Sequence, residues 1–439
     1  MRYLSSARGA ALSCLTALPF VAGSAGTSGS AIAAGFYLQD QSVKGGGRAY
    51  SGEAADMGAE SLWWNPASIA GIAQSETYNG VTGIFVSSTA TDHNSTIRYL
   101  GRGTSSVGGD GRVDNPVQNG ILPTGGFAYR IDDQWAIGMA VTSPFSFVTK
   151  YPTDSWTRYA AETSRLTTLD FQPTLAWRPT SWLGLGIGPN IEYQVADLSS
   201  ALPNLFAGQP DGQQTLHGNG WDVGFNAGLQ LHLTDRLTFG AAYRSKIQHE
   251  LSGKLSVTGL DGLLAGQNLR ADAGAHFTTP WAATFAVRYR VTDRLTLNAQ
   301  AVRQGWSVFD AIFVTSPVTT QTNENYQDTL SGAFGLDYEV TPRWIMRTGL
   351  QYDPTPTPGA SRDARVPDAN RWLFSVGTSV KVTRRITFDA SVTYVDFQAA
   401  SINRNASAYA GTPVTVPVAL SGMVEASGVV AGIGTRLWF

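Results

Sequence analysis

The sequence is poor in cysteine, in charged side chains and in long apolar runs, and each shortage excludes a class of protein. The only cysteine is Cys14, so the chain beyond it has no thiol for a disulfide, a thiolate nucleophile or a cysteine metal site. Charged side chains make up 15% of the 439 residues, against about 25% in an ordinary soluble domain. The net charge of −2 gives no electrostatic reason to bind nucleic acid.

Long apolar runs are also missing. Beyond residue 33 no stretch offers the roughly 18 consecutive apolar residues of a transmembrane helix, and the mean hydropathy is −0.09. Aromatic residues reach 11% and the net charge is near zero, which argues against disorder. Glycine is abundant, at 48 residues. Low charge combined with many glycine and aromatic residues is typical of transmembrane β-barrels, because each strand shows one face to lipid and the other to a lumen.

The first 33 residues have the pattern of a secretory signal peptide. Arg2 and Arg8 precede an apolar run over residues 9–23, and small residues then lead to Ala31 and Ala33 as an A-x-A cleavage site. A membrane anchor is the alternative, but the run is short and Pro19 interrupts it. We therefore predict a signal peptide over residues 1–33.

Turn signals predict the number of strands. Six short ones lie about 42 to 58 residues apart, at 131–134, 178–181, 233–236, 291–294, 340–343 and 382–385. Seven longer segments alternate with them, at 91–120, 150–164, 199–219, 259–270, 315–325, 353–368 and 402–420. Thirteen connections require fourteen strands. Short turns at one rim and long loops at the other predict an all-β fold, a 14-stranded antiparallel transmembrane β-barrel of a bacterial outer membrane.

The residues between the turns alternate as barrel strands do. In the stretch from Trp221 to Leu233 the odd-numbered residues are apolar, while the even-numbered ones are mainly polar or glycine, which predicts an outward apolar face and an inward polar one. The chain ends with Phe439 on the apolar face of a last alternating strand. This ending resembles the terminal strand of outer-membrane proteins, whose final aromatic is read by the barrel assembly machinery.

Residues 34–75 lack this alternation and precede the first strand. A barrel of fourteen strands is wider than side chains alone can fill. We therefore expect residues 34–75 to form an N-terminal hatch that plugs a barrel over residues 76–439.

Several short motifs, in order along the chain, resemble one known family. They are Gly35-Phe36, the Gly-Arg-Ala-Tyr-Ser-Gly of 47–52, Asn65-Pro66-Ala67, Thr142-Ser143, the Tyr-Arg-Ser of 243–245, Pro280-Trp281, and the stretches 347–356 and 366–371. Together they resemble the FadL-type outer-membrane transporters of long-chain fatty acids, with the TodX-type aromatic-hydrocarbon channels as the other branch.

The resemblance implies passive transport of hydrophobic molecules, with long-chain fatty acids first among them. Extracellular loops capture the molecule, a site inside the barrel binds it, and it leaves sideways through an opening in strand 3. The resemblance assigns the hatch motif to Asn65, Pro66 and Ala67. It assigns the opening to Thr142, Ser143, Pro144 and Phe145, where the proline removes a donor from the strand ladder. A bulge without a role in transport is the alternative there.

Two long loops carry apolar side chains that could capture a ligand outside the cell. They are Leu202, Leu205 and Phe206 in one loop and Leu260, Leu263 and Leu264 in the next. The spacing over residues 198–206 predicts a short amphipathic helix. Alternatively, the two loops simply pack on each other.

Three arginines are candidates to hold a carboxylate head group, because the strand alternation places them on the lumen side. They are Arg244, Arg347 and Arg371. Alternatively, they belong to a balanced ion-pair network between hatch and wall. Fatty-acid-binding members of the family use an Arg on strand 5 and a Lys near the end of strand 9, and residues 193–197 and 309–313 hold neither. This departure leaves a hydrocarbon substrate open.

The sequence shows neither a metal-binding histidine spacing nor a nucleophile elbow. We therefore expect no metal, no cofactor and no enzymatic activity, and we expect a monomer in contact with outer-membrane lipid and lipopolysaccharide. A general diffusion porin and a lipid-acting enzyme are the alternatives from other functional classes.

Overall fold

The computed structural model describes residues 35–439 except 100, 102, 316–318 and 410–411. The signal peptide predicted for residues 1–33 lies outside the described residues. No helix within the described part of the chain is long and apolar enough to cross a membrane.

Fourteen antiparallel strands form one closed barrel, as the turn pattern predicted. They are β1 Glu76–Asp92, β2 Gly120–Arg130, β3 Trp135–Thr142 and Ser146–Lys150, β4 Thr163–Thr180, β5 Leu183–Leu202, β6 Gly212–Thr234, β7 Leu237–Arg244 and Ile247–Thr258, β8 Leu269–Thr279 and Trp281–Arg290, β9 Leu295–Gly305, β10 Thr329–Thr341, β11 Trp344–Asp353, β12 Arg371–Lys381, β13 Ile386–Phe397 and Ala400–Ala408, and β14 Val416–Trp438. Each strand pairs with its sequence neighbour, and β14 pairs with β1 from Glu76↔Trp438 to Asp92↔Gly422. This last ladder closes the wall without a free edge.

The six tight turns fall between β2 and β3, β4 and β5, β6 and β7, β8 and β9, β10 and β11, and β12 and β13, so that prediction is confirmed. The long loops lie at the opposite rim, which is the extracellular one in bacterial outer-membrane barrels. Their described parts contain the short strands Thr96–Arg98, Thr104–Ser106, Arg112–Asp114, Ala311–Val314 and Thr320–Asn323, and the 3₁₀ turns Gly262–Gln267 and Trp306–Val308.

Two predicted loops are shorter than expected because the strands extend past them. The helix predicted over residues 198–206 is wrong, since residues 198–202 continue β5 and pair with 212–216 of β6. Much of the predicted loop 402–420 is likewise strand, in β13 and β14. Cross-strand hydrogen bonds bind these backbones more effectively than a single helical turn would, because a short isolated helix is marginal in water.

The strand faces point as the alternation predicted. In β6 the side chains of Trp221, Val223 and Phe225 are exposed on the outside, while Asn226 and Gln230 are buried on the inside. The outer surface of the barrel is therefore apolar, as contact with lipid requires.

The N-terminal segment, residues 35–75, lies inside the barrel and is almost entirely buried. It contains one short helix, α1 (Val43–Gly46), and three 3₁₀ turns, Glu53–Ala55, Ala59–Ser61 and Pro66–Ile69. Glycines in the wall make room for its backbone. A Cβ atom on Gly349 of β11 would lie 2.2 Å from the carbonyl carbon of Arg48, and one on Gly186 of β5 would lie 2.2 Å from that of Pro66. The segment therefore rests directly on strands from several sides of the wall.

Candidate functional site

Buried ion pairs bind the N-terminal segment to the wall. Arg48 is fully buried and contacts Glu53, Asp56 at 2.6 Å and Asp337 of β10 at 3.1 Å. Asp337 also accepts from Arg288 at 2.9 Å. The guanidinium of Arg48 is itself fully buried, so its charge depends on these carboxylates for stabilisation. The network occupies the half of the lumen that faces the tight turns.

Asn65 fixes the local shape of residues 65–67, the predicted hatch motif. Its side-chain oxygen accepts from the N–H of Ala67 at 2.9 Å and so caps the 3₁₀ turn, in which Pro66 takes the first position. Its amide nitrogen donates to the carbonyls of Ala54 at 2.6 Å and Leu229 of β6 at 3.0 Å. One asparagine therefore joins two parts of the segment to the barrel wall.

Strand β3 is interrupted where the sequence predicted. Its first part pairs with β4 up to Thr142↔Asp170, and its second part resumes at Ser146↔Thr167. Four steps along β3 thus oppose three along β4, so β3 carries one extra residue, as at a β-bulge. Ser143 and Phe145 are buried within this kink.

The N-terminal segment provides several hydrogen-bond partners for the kink. Leu38 donates its N–H to the carbonyl of Pro144 at 2.7 Å, and Ser146 donates to the carbonyl of Phe36 at 3.1 Å. The amide nitrogen of Gln41 donates to the carbonyl of Ser143 at 3.0 Å. The kink therefore turns inward and pairs with residues 36–41 in place of the neighbouring strand.

On the other side of the kink the ladder to β2 is broken. β2 pairs with β3 only from Gly125↔Val141 to Arg130↔Ala136. Within the described part of the chain, residues 120–124 of β2 pair with β1 alone. Hydrogen bonds between the two chain segments resume beyond the kink, where Gln118 donates to the carbonyl of Val148 at 3.0 Å. The break is thus local and lies beside the N-terminal segment.

A cavity with about 820 Å³ of empty space, part of it open to solvent, lies inside the barrel toward the long loops, and we call it the loop-side cavity. Its walls include apolar side chains from the N-terminal segment, several strands and a loop, chiefly Phe36, Phe147, Leu166, Leu251, Phe277 and Phe309. The ring of Phe36 is 5.8 Å from that of Phe145 at the kink. The apolar lining suits a hydrophobic small molecule, and the cavity borders the break in the wall.

Comparison with known proteins identifies the family. The sequence model described as "Outer membrane protein transport protein (OMPP1/FadL/TodX)" matches residues 24–439. The chain belongs to this family. The chain is 27% identical over 418 residues to the long-chain fatty acid transport protein of Escherichia coli K12, covering 86% of this chain and 91% of that protein.

Solved structures of the FadL/TodX family share the fold. A Pseudomonas aeruginosa FadL homologue superposes with a TM-score of 0.83 at 24% identity, over 92% of this chain and 99% of that one. The Ralstonia pickettii toluene transporter TbuX gives 0.65 at 18% identity, over 92% and 100%. The family match and the barrel make this FadL/TodX chain an outer-membrane protein of a Gram-negative bacterium. The Escherichia coli relative and TbuX are named as transporters.

The three arginines predicted to meet a head group each have a carboxylate partner in this FadL/TodX barrel. Arg244 lies 3.0 Å from Asp170, Arg347 lies 2.8 Å from Asp337, and Arg371 lies 2.5 Å from Asp353. None of the three lines the loop-side cavity. These pairs resemble the balanced ion-pair network that was the alternative interpretation of the three arginines.

Two arginines that sequence reasoning missed, Arg165 and Arg365, do line the cavity. Arg365 lies on the loop between β11 and β12 and reaches the hydroxyl of Ser164 on β4, at 3.3 Å. Its guanidinium has no carboxylate within 4 Å among the residues that the structure describes. No sequence pattern marks it, because its loop has neither a period nor a motif that predicts which side chain turns inward.

Two carboxylates on the rim of the cavity, Glu324 and Asp363, share Arg404. Arg404 lies 3.4 Å from Glu324 and 3.2 Å from Asp363. Burial and the charge of Asp363 raise the pKa of Glu324 to about 7, although Arg404 and Arg365 act in the opposite direction. The charge at the mouth of the cavity therefore changes near neutral pH.

The six loop residues predicted to capture a ligand have two different environments. Leu205, Leu260 and Leu264 are buried together in a cluster beneath the loops, and Leu202 packs against it. Phe206 and Leu263 are exposed, by 54% and 78%. Four of the six side chains thus serve to pack one loop on the other. Of the six, only the two exposed side chains are free to meet a molecule from outside.

Proposed function

We propose that this chain carries hydrophobic molecules passively across the outer membrane, with long-chain fatty acids as its main substrates, and that it is not an enzyme. The observation that carries the proposal is the apolar loop-side cavity that borders the kink of β3. Lipopolysaccharide resists apolar solutes, and water gives them no favourable path. A cavity that opens sideways into lipid avoids the aqueous route.

The proposed route has three steps. Phe206 and Leu263 meet the molecule outside the cell, the loop-side cavity binds it, and it leaves between β2 and the kink of β3. The distribution of charge supports the sideways exit. Toward the periplasm the lumen holds the buried ion pairs of Arg48 and Asp337, and an apolar solute would have to separate them to pass downward.

The proposed hatch is the N-terminal segment, with Asn65, Pro66 and Ala67 as its motif. It occupies the lumen, which argues against a general diffusion porin. Its residues 36–41 also pair with the kink, so a ligand that displaces Phe36 would loosen the same hydrogen bonds that hold the kink inward. Recognition of Phe439 by the assembly machinery, contact with lipopolysaccharide and a monomeric state stay predictions.

Arg365 favours a fatty acid over a hydrocarbon as substrate. A guanidinium without its own carboxylate binds a carboxylate well by charge-assisted hydrogen bonds, and an aromatic hydrocarbon has no use for it. An aromatic-hydrocarbon channel is the second candidate, which the phenylalanine rings of the cavity support.

Uptake by cells tests both candidates. A strain that lacks its own fatty-acid and toluene transporters receives this chain or a variant with Ala275→Trp, which fills the cavity from β8. The matched control is Ala301→Trp, on the lipid-facing side of β9. We expect saturable oleate uptake that Ala275→Trp abolishes and Ala301→Trp preserves. Uptake of toluene alone would favour the second candidate, and uptake of neither would refute the proposal.

A further inference from the structure

Four of the tight turns on the periplasmic rim share one local structure. They join β6 to β7, β8 to β9, β10 to β11 and β12 to β13, and each has the sequence Thr-X-Arg between two apolar residues. In all four the backbone N–H of the arginine donates to the threonine hydroxyl two residues earlier, at 3.1 to 3.3 Å. The middle residue is Asp235, Asp293, Pro342 and Arg384 in turn. The turn structure therefore does not require an acid, and the middle residue sets the charge.

In the first two of these turns the acids balance the arginines. Arg236 lies 3.6 Å from Asp293 of the neighbouring turn. The carbonyl of Asp235 accepts from Arg290 at 2.6 Å, so the two turns are linked to each other on the rim. One acid for one arginine leaves each of these turns without net charge.

The other two turns form a cationic surface, which we call the turn patch and define as Arg343, Lys381, Arg384 and Arg385. All four residues are exposed. The two turns lie side by side, since Lys381 donates its N–H to the carbonyl of Arg343 at 2.8 Å. Within the part of the chain that the structure describes, none of the four side chains forms an ion pair or a hydrogen bond. The turn patch therefore holds four positive charges without a partner in this described part.

The carboxylates nearest to the turn patch are directed elsewhere. Asp389 of β13 is buried in the lumen and pairs with Arg436 at 2.8 Å. Glu339 of β10 also faces the lumen, where it lines a polar cavity. The N–H of Phe439 donates to the carbonyl of Ser75, on the side of β14 away from β13. All these residues are described by the structure, and none of their carboxylates pairs with the turn patch.

The turn patch is continuous with the lipid-facing surface of the barrel. On the same strands, the outward side chains of Trp344, Val380, Val382 and Phe388 are exposed. Outward apolar side chains of a transmembrane barrel contact lipid, and a tryptophan at the end of a strand is typical of the level of the head groups. The turn patch therefore lies at the level of the lipid phosphates of the periplasmic leaflet.

We propose that the turn patch binds the phosphate head group of an anionic phospholipid in the periplasmic leaflet of the outer membrane. Guanidinium groups bind phosphate by paired, charge-assisted hydrogen bonds, and clustered cations beside a membrane attract anionic lipid. A soluble acidic protein is the other kind of partner for a cationic surface, but continuity with the lipid-facing wall favours the lipid. The inference goes beyond transport and does not depend on which substrate the barrel carries.

The test gives the turn patch the charge of the two balanced turns. The variant Pro342→Asp/Arg384→Asp makes both turns Thr-Asp-Arg, a sequence that the chain already folds twice. The matched control, Ser181→Asp/Arg236→Asp, changes the net charge of the same rim by the same amount. Native mass spectrometry of the purified chain in detergent measures the binding of dioleoyl phosphatidylglycerol, of phosphatidylcholine with the same acyl chains, and of poly-glutamate.

We expect the unmodified chain to bind phosphatidylglycerol at least about tenfold more tightly than phosphatidylcholine, since each cation near anionic lipid contributes a factor of about five. Pro342→Asp/Arg384→Asp should lose this preference, and the control should keep it. Arg384→Gln/Arg385→Gln, which removes two charges and adds no acid, should weaken binding of phosphatidylglycerol at least about tenfold. Heat-modifiable migration on a gel should be the same in every variant and reports the folded barrel.

Equal affinity of the unmodified chain for the two lipids would overturn the proposal. An equal loss of phosphatidylglycerol binding in the control would also overturn it, because net charge alone would then decide. Tighter binding of poly-glutamate than of phosphatidylglycerol would assign the turn patch to a soluble acidic partner. If Pro342→Asp/Arg384→Asp fails to fold, Arg384→Gln/Arg385→Gln decides, and unchanged binding of phosphatidylglycerol in that variant would contradict the proposal.

Discussion

A single added side chain at Gly349 should displace the N-terminal segment without harming the barrel. Gly349 is central in β11, and a Cβ there would meet the carbonyl carbon of Arg48 at 2.2 Å. The obstacle is backbone, so no side-chain rotation relieves it. In Gly349→Val the β-branched residue suits a strand, and the clash falls on the contact between segment and wall.

The expected size of the effect follows from that contact. Forcing extra methyl groups into a packed site costs about 1 to 3 kcal/mol, which is about a five- to 150-fold shift in an equilibrium constant. If the segment closes the lumen, a displacement of this size raises the fraction of open barrels by the same factor. The variant should therefore leak small ions and polar solutes.

Single-channel recording in planar bilayers measures the leak. The matched control is Gly332→Val on β10, where an added Cβ has nothing within 4 Å. We expect frequent openings in Gly349→Val and quiet traces in Gly332→Val and the unmodified chain, with heat-modifiable migration in all three. Equal conductance in the two variants would refute the view that the segment closes the lumen.

Three further variants test the roles of individual charged side chains. Arg48→Met leaves buried carboxylates short of a cation, at a cost of about 3 to 5 kcal/mol, so the barrel should leak in the same single-channel recordings. The control Arg112→Met removes one partner of an exposed ion pair and should not leak. Arg365→Gln should weaken oleate binding at least about tenfold and leave toluene binding unchanged in an equilibrium binding assay. Because the raised pKa of Glu324 makes this carboxylate lose its charge as the pH falls through about 7, binding of hexadecyl sulfonate, whose own charge is constant, should tighten from pH 8 to pH 6. Glu324→Gln should abolish that dependence, and a persistent slope would assign it to another group.

Local patterns predicted the barrel because its strands and turns are locally encoded. The alternation of Trp221, Val223 and Phe225 with polar neighbours requires only that one face meets lipid. The turn at 131–134 likewise follows from its own residues. Where a local pattern was ambiguous, as in residues 198–206, pairing with the next strand along the chain decided the outcome and the predicted helix was wrong.

Much of the site could not be predicted because it depends on contacts between distant segments. Pro144 indicated an interruption in β3, but no local signal pointed to Phe36 and Leu38 as the partners of the kink. The charge of Arg371 was evident from the sequence, whereas its pairing with Asp353 depends on the register between β11 and β12. Arg365 escaped notice because irregular loops carry no period from which side-chain direction can be read.

We propose above all that a hydrophobic molecule leaves sideways at the kink of β3. The most direct measurement compares surface-bound and accumulated oleate in cells that express Ser143→Val/Pro144→Val/Ser146→Val, with Pro189→Val, a wall proline of β5, as control. If exit is lateral, the sealed variant binds oleate at its surface as before but accumulates it far more slowly than the control. Normal accumulation in a variant whose structure shows the ladder between β2 and β3 restored would contradict lateral exit and indicate passage past the N-terminal segment into the periplasm.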